Sequence, residues 1–297
     1  MRTTRTTPTA RALAVLMPLA VAGVLLAGCA APSPAASDSA NAPAEGAPAT
    51  PGLITDGTLT VGIVLPDAPY MIPDADNVVQ SGITKDLLEA VGDKLGLDVT
   101  FVSVAWEGGI AGVEAGRYDV FAGSLYDTLE RQAVGTFVDF MQEQTTLITT
   151  KANADKYTRQ SDSCGHSIAT IRGTTDVTYA ERLSKNCVDA GLEPLDVTEY
   201  PTQQDSELAM QSGRTDFGLQ SVPAVKYEIA NGANKATVDK PFDGGFYVGG
   251  LMNSSKKELV DAVLWAETEL FNDGTTQKIF DEYGVTAVTP GVNLSDQ

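Results

Sequence analysis

The chain has 297 residues, enough for one large or two medium domains, and carries 39 acidic side chains against 20 lysines and arginines, a formal charge of −19. A balance so negative excludes nucleic acid and polybasic membrane contact. There is a single histidine, His166, with no cluster of ligating side chains around it, so neither a metal nor another cofactor is expected.

Arg2, Arg5 and Arg11 precede an apolar run, Ala12 to Leu26, that Pro18 and Gly23 interrupt. The run is short of the roughly 20 residues a membrane span needs. Leu26-Ala27-Gly28-Cys29 then reads as a bacterial lipobox, with cleavage before Cys29 and lipid on its thiol. The alternative is an ordinary signal peptide with an incidental cysteine. Residues 1–28 are thus expected to be a lipoprotein signal peptide, and the protein a monomer outside the cytoplasm, held at the cell membrane through lipidated Cys29 alone. Residues 29–55 are rich in Ala, Pro and Ser, cannot build a core, and read as a tether.

From Gly57 onward strand and helix patterns alternate. LTVGIVL (59–65) reads as a buried strand and TKDLLEAVGDKLG (84–96) as an amphipathic helix. Strand VTFVSVAW (99–106), a helical stretch at GGIAGVEAG (108–116) and short strand DVFAGS (119–124) follow. Asp127 and Glu130 fit a D-x-x-E cap, which puts Arg131 in the first turn of a helix. The positive end of the helix dipole disfavours a cation there by roughly 0.3–1 kcal/mol. Either Glu130 or Asp127 compensates, or Arg131 is held for an anion from outside.

The alternation resumes with strand HSIATIR (166–172), helix DVTYAERLSKN (176–186), strand LDVTEY (195–200), helix QDSELAMQSG (204–213), strand DFGLQ (216–220) and helix PAVKYEIANG (223–232). Ser255 and Glu258 fit a capping box for a last helix, stopped at Asp273-Gly274. Such a series predicts α/β layers with largely parallel sheets and ligands at the carboxyl ends of strands. With Cys29 assigned, Cys164 and Cys187 are an even pair in an exported chain and imply a disulfide. His166 reads as a surface residue.

In order and spacing, these stretches resemble the amino-acid-type periplasmic solute-binding proteins of ABC importers, family 3. The likeness covers residues 57–285. It is carried by GTLTVGIVLPDAPY, Gly82 with Asp86 and Leu87, Trp106 followed by AGRYDVFAGS, T-x-E-R leading to FVDF, IRGTTDVTYAERL and ELAMQSGRTDFGLQS. The resemblance implies two lobes joined by two crossing strands, with a cleft between them. Residues 56–145 and 245–297 would form the first lobe and 146–244 the second. The disulfide would then lie within the second lobe, leaving closure free.

The resemblance also implies that the protein captures an amino acid or related small polar carboxylate and delivers it to ABC permease subunits by lobe closure. Arg131 would grip the ligand's carboxylate, faced by the backbone N–H groups of Thr174, Thr175 and Asp176 at a helix start. Trp106 would be a wall against the ligand, or a core tryptophan. Tyr70, Gly123 and Ser124 would line the cleft, and Arg172 would do so too or point to solvent.

Three positions depart from the family. Tyr126 replaces a small hydroxyl residue, Ser221 an acid that holds the ligand's ammonium, and Asp67 an aromatic lid. A buried, unpaired ammonium is costly, so its counter-charge must come from elsewhere or the ligand must lack the group. Asp67 could supply the charge, with Tyr126 offering a π-face; otherwise Asp67 sits in a solvated loop and the ligand is merely a carboxylic acid. A second functional class is an exported lyase of the same fold acting on a small cyclic carboxylate, with Asp67 and Asp176 as acid–base candidates. No Ser/His/Asp or metal constellation is legible, so no enzyme is expected. A third class is a sensor module working through a separate partner.

Overall fold

The computed structural model describes residues 42–296. The expected signal peptide, Cys29 and the first part of the tether lie outside them. Part of the stretch read as tether is docked on the domain. Ala44 N–H donates to the Lys94 carbonyl (3.0 Å), and Leu53 packs on the core. The last carbonyls of a helix lack intrahelical partners, and the tether supplies one.

In chain order come β1 (Thr58–Ile63), a small hairpin of β2 (Ile72–Pro73) and β3 (Val79–Ser81), α1 (Ile83–Leu95), β4 (Asp98–Ser103) and α2 (Trp106–Glu114). Next are β5 (Val120–Phe121), α3 (Leu129–Gln132), β6 (Thr136–Glu143), β7 (Thr145–Thr149), β8 (Ser167–Ile171) and α4 (Thr175–Asp189). The series continues with β9 (Asp196–Tyr200), α5 (Gln203–Gln211), β10 (Phe217–Ser221), α6 (Val222–Ala230) and β11 (Ala236–Val238). It ends with β12 (Phe246–Met252), α7 (Lys257–Asn272), α8 (Thr275–Asp281) and β13 (Ala287–Val292).

Apart from the β2-β3 hairpin, the strands make two sheets, β13-β6-β12-β5-β1-β4 and β11-β7-β10-β8-β9. β1 runs parallel to β4 and β5, and β8 parallel to β9 and β10, as strand–helix alternation requires. β6 and β12 pair antiparallel in the first sheet, and β7 is antiparallel to β10 in the second. The chain passes from one sheet to the other between β6 and β7 and returns between β11 and β12. The fold is two-lobed α/β with two crossing strands and a cleft. Leu59, Val61, Leu87, Phe140 and Val263 centre one core; Ile168, Tyr179, Leu183, Phe217 and Phe242 centre the other.

Local chemistry sets the elements that reach the cleft. α1 buries Ile83, Leu87, Leu88, Val91 and Leu95 at helical spacing and stops at left-handed Gly96. At its start, Gly82 has φ 139°, and a Cβ there would meet the Tyr70 carbonyl at 2.2 Å. Only glycine lets the Tyr70 segment lie this close. The disulfide joins Cys164 to Cys187 near the end of α4.

Several local expectations are corrected. Asp127 is not the cap of α3. Thr128 is, its hydroxyl accepting the Arg131 N–H at 3.3 Å. Asp127 is fully buried and accepts from the Gln132 side chain (2.9 Å) and the Ser295 N–H (3.0 Å), so long-range bonding overrides the local cap. Trp106 opens α2 instead of ending a strand. Ser255 does not cap α7: its hydroxyl turns to Asn253 (2.7 Å), and Lys256 precedes the helix without a side-chain cap. α7 does stop at Asp273-Gly274 as expected, but it is not the last helix, because left-handed Gly274 redirects the chain into α8.

Candidate functional site

A cleft of about 520 Å³ lies at the carboxyl ends of β1, β5, β8, β9 and β10, where α/β sheets of this kind present their ligand crevice. Tyr70, Trp106 and Arg131 line it from one side, and Thr174, Asp176 and Ser221 from the other. Asp67, Gly123, Ser124, Tyr126 and Thr175 also border it. Arg131 is the only cation among the lining residues.

Arg131 is buried, 8 % exposed. Its Nη1 donates to the Tyr126 carbonyl at 2.6 Å, and its Cζ lies 5.2 Å from the centroid of the Trp106 ring. Neither Glu130 nor Asp127 forms an ion pair with it, and no other described carboxylate does. Burial pushes its pKa down to about 10, with Glu130 opposing, so the group stays cationic at neutral pH. Trp106 also packs on Phe121, ring centroids 6.1 Å apart.

Across the cleft, Thr174 caps α4. Its hydroxyl accepts the Asp176 N–H (3.3 Å) and donates to the Ile171 carbonyl (2.8 Å). The Asp176 carboxylate receives no hydrogen bond from any described residue, and burial pushes its pKa up to about 7.

Asp67 is not in a solvated loop. Its two oxygens accept from the Ser124 N–H (2.8 Å) and the Ser124 hydroxyl (2.7 Å). Gly123, at φ 141°, leaves room for that clasp; a Cβ would meet Asp67 Oδ2 at 2.5 Å. Burial still raises Asp67 to about 7, against the lowering effect of both Ser124 bonds. Tyr126 faces the cleft, its ring stacked 5.1 Å from Phe246 and its hydroxyl 3.5 Å from Thr145 Oγ1.

Ser221 caps α6 by accepting the Ala224 N–H (3.4 Å), and its hydroxyl lies 2.9 Å from the Tyr70 hydroxyl. Tyr70 also donates to Glu143, a buried acid at the end of β6 that burial raises to about 7. Sequence reasoning passed over Glu143, whose only signal was an acid at the end of the apolar FVDFM run. It passed over Lys235 too. That buried ammonium binds Glu207 (2.9 Å) and Glu228, two acids bordering the cleft. Arg172 does not line the cleft; it is exposed, 3.7 Å from Glu199, because β8 ends before it. His166 is half-exposed, with its ring edge-on to Tyr157, 5.2 Å away. Among the described residues, no group of His, Cys, Asp or Glu is arranged to hold a metal ion, and no helix is long and apolar enough to cross a membrane.

The profile of the family described as bacterial extracellular solute-binding proteins, family 3, matches residues 59–286. Among characterised proteins, the arginine-binding protein ArgT of Corynebacterium glutamicum is 25 % identical over 234 residues, covering 76 % of this chain and 74 % of that protein. The L-cystine-binding protein TcyA of Bacillus subtilis is 25 % identical over 223 residues, 74 % of this chain and 78 % of that one. Among solved structures, an ancestral arginine-binding protein bound to arginine superposes with a TM-score of 0.66 at 24 % identity, covering 77 % of this chain and 98 % of that one. That likeness shows the shared fold.

Proposed function

The chain belongs to the bacterial extracellular solute-binding proteins of family 3, and we propose that it is the lipid-anchored capture component of an amino-acid ABC importer. The observation that carries this reading is Arg131: a buried guanidinium, braced on Trp106 and Tyr126, that lines the cleft without a carboxylate of its own. Desolvating a cation is unfavourable unless a partner arrives, and a planar guanidinium matches a two-oxygen acceptor. The ligand's carboxylate is that partner, met from the start of α4 by the Thr175 N–H. The other two expected donors are engaged, Thr174 N–H with the Ile171 carbonyl and Asp176 N–H with the Thr174 hydroxyl. Trp106 and Tyr126 wall the ligand, while Tyr70, Ser221 and the Asp67–Ser124 clasp shape the floor.

The lobes are taken as residues 56–145 with 245–297 and residues 146–244, a division supported by where the strands change sheets. Contacts made only when both lobes reach the ligand shift the protein towards closure. The closed form then delivers the solute to permease subunits outside the cytoplasmic membrane. The lipobox ending in Cys29 supports the anchor. The characterised relatives are binding proteins, which favours capture over lyase chemistry.

Thermal unfolding of ligand-stripped protein tests the reading against amino acids and their decarboxylated and deaminated derivatives. A ligand at 100 times its Kd stabilises by about 2.7 kcal/mol. A carboxylate-bearing compound should shift the wild type and not Arg131→Ala. If only amines lacking a carboxylate register, or Arg131→Ala binds normally, the anchor is misassigned.

A further inference from the structure

The cleft carries an excess of acids over its one cation, and each of those acids except one is already engaged or lies at the rim. Asp67 is clasped by Ser124 through both oxygens. Glu207 and Glu228 are ion-paired with buried Lys235. Glu107 is exposed in the first turn of α2. Glu143 stands behind Tyr70, which donates to it. Ser221, where the resemblance leads one to expect an acid, is neutral and occupied with the Tyr70 hydroxyl and its own helix cap.

Asp176 is the remaining one. Its backbone N–H is capped by Thr174, but its carboxylate lies half-buried at the cleft wall with no hydrogen bond or ion pair from any described residue. Tyr126 lines the same cleft as both charges, and Arg131 donates to its carbonyl. We propose that Asp176 is the counter-ion for the ligand's ammonium group, so that the cleft selects zwitterions over plain carboxylic acids. The inference rests on the reading of Arg131 as the carboxylate anchor. It moves the ammonium site from the end of β10 to the first turn of α4, and makes closure of the second lobe depend on the ligand's positive charge.

A first-turn aspartate also has an ordinary helix-stabilising role. That role alone predicts that Asp176→Asn lowers stability and leaves ligand selectivity untouched. Selectivity is therefore the readout. Isothermal titration would use stripped wild type, Asp176→Asn and Arg131→Ala. The probes are the common L-amino acids, L-ornithine and L-cystine, followed by the deamino analogue of each compound that binds. Wild type should prefer the amino acid over its deamino analogue by roughly 30-fold or more, the scale on which a buried charge loses its partner. Asp176→Asn should cut that preference at least about tenfold, weakening the amino acid and not the analogue, and Arg131→Ala should lose both. A preference that survives in Asp176→Asn, or a loss shared equally by acid and analogue, overturns the assignment and leaves Arg131 standing. If no probe binds the wild type, the capture reading fails and this inference falls with it.

Discussion

Arg131 lies over Trp106, its guanidinium carbon 5.2 Å from the ring centroid, with one nitrogen tied to the Tyr126 carbonyl. Cation–π attraction and one hydrogen bond offset only part of what burial takes from an unpaired cation. Function and stability therefore conflict at this position. Arg131→Met should raise the unfolding free energy of the ligand-free protein by about 1–3 kcal/mol and abolish carboxylate binding. Denaturant unfolding without ligand checks this. A loss of stability would mean that the guanidinium holds the lobe together and is not kept for a ligand.

The Cys164–Cys187 bond ties the segment before β8 to the end of α4, far along the helix from Asp176. Replacing both cysteines with serine should cost about 3 kcal/mol through the unfolded chain's extra freedom. Neither cysteine lines the cleft, so ligand affinity should hold wherever the variant remains folded. Denaturant midpoints and a ligand titration on one preparation separate the two effects. A matching loss of affinity would show that the bond also positions the start of α4.

Gly123 carries the clasp between Asp67 and Ser124. Its φ of 141° suits glycine, and a side chain would strike Asp67 Oδ2. Gly123→Ala should cost about 1–3 kcal/mol and release Asp67 from Ser124, weakening ligand binding as the cleft floor moves. The double variant Gly123→Ala with Asp67→Ala tells clash from charge: stability regained there identifies the clash as the cause. If Gly123→Ala folds and binds as the wild type does, the clasp has no part in shaping the floor.

Much of the fold was legible because its parallel strands and helices declare themselves locally. Apolar runs such as LTVGIVL, periodic stretches such as TKDLLEAVGDKLG and glycine stops follow from short-range chemistry. What stayed hidden depends on partners distant in sequence. Asp127 looked like a cap until Ser295 took its oxygen from 168 residues away. Glu143 and Lys235 drew no reading from the sequence, yet Tyr70 donates to one, and Glu207 with Glu228 encloses the other. The site was half legible for the same reason. Arg131 violated a local rule and so drew notice, whereas Asp176 obeyed one, as an acid in a first helical turn, and its lack of partners was visible only in three dimensions.

A second group of buried acids sets the pH response of stability. Asp139 on β6 accepts the Leu294 N–H (2.9 Å) and faces Asp127, while Glu267 comes in from α7. Asp139 Oδ1 and Glu267 Oε2 have no hydrogen-bond partner among the described residues. Burial raises Asp139 from 3.8 to about 8, and lifts Glu267 well above its ordinary value with Asp139 adding repulsion. The folded state thus keeps protons that the unfolded state releases. Stability from this group is full near pH 4 and is lost as pH rises to about 8, by up to about 1.4 kcal/mol per pH unit for each titrating acid. Asp139→Asn should match the wild type near pH 5 and exceed it by about 1–3 kcal/mol near pH 8. Denaturant unfolding across that range measures the difference, and a constant gap between the two curves would place the titration elsewhere.

Ligand binding should follow pH in the opposite direction. Burial holds Asp176 at about 7 in the ligand-free protein, and an ammonium pairs only with the ionised carboxylate. Below that pH, binding must expel a proton from Asp176, so affinity should fall by up to about tenfold per pH unit towards pH 5. Asp67 and Glu143 are also raised to about 7 and stand near Tyr70 and Tyr126, so part of any slope can originate with them. Two controls isolate the contribution of Asp176. Asp176→Asn should lose its portion of the slope for an amino acid, and the deamino analogue should show little slope even in the wild type. Titrations near pH 6 in buffers of different ionisation enthalpy would count the proton directly: close to one released in the wild type, fewer in the variant. Equal release from both proteins would assign the proton to Asp67 or Glu143, and the ammonium site would move to the floor of the cleft beneath Tyr70.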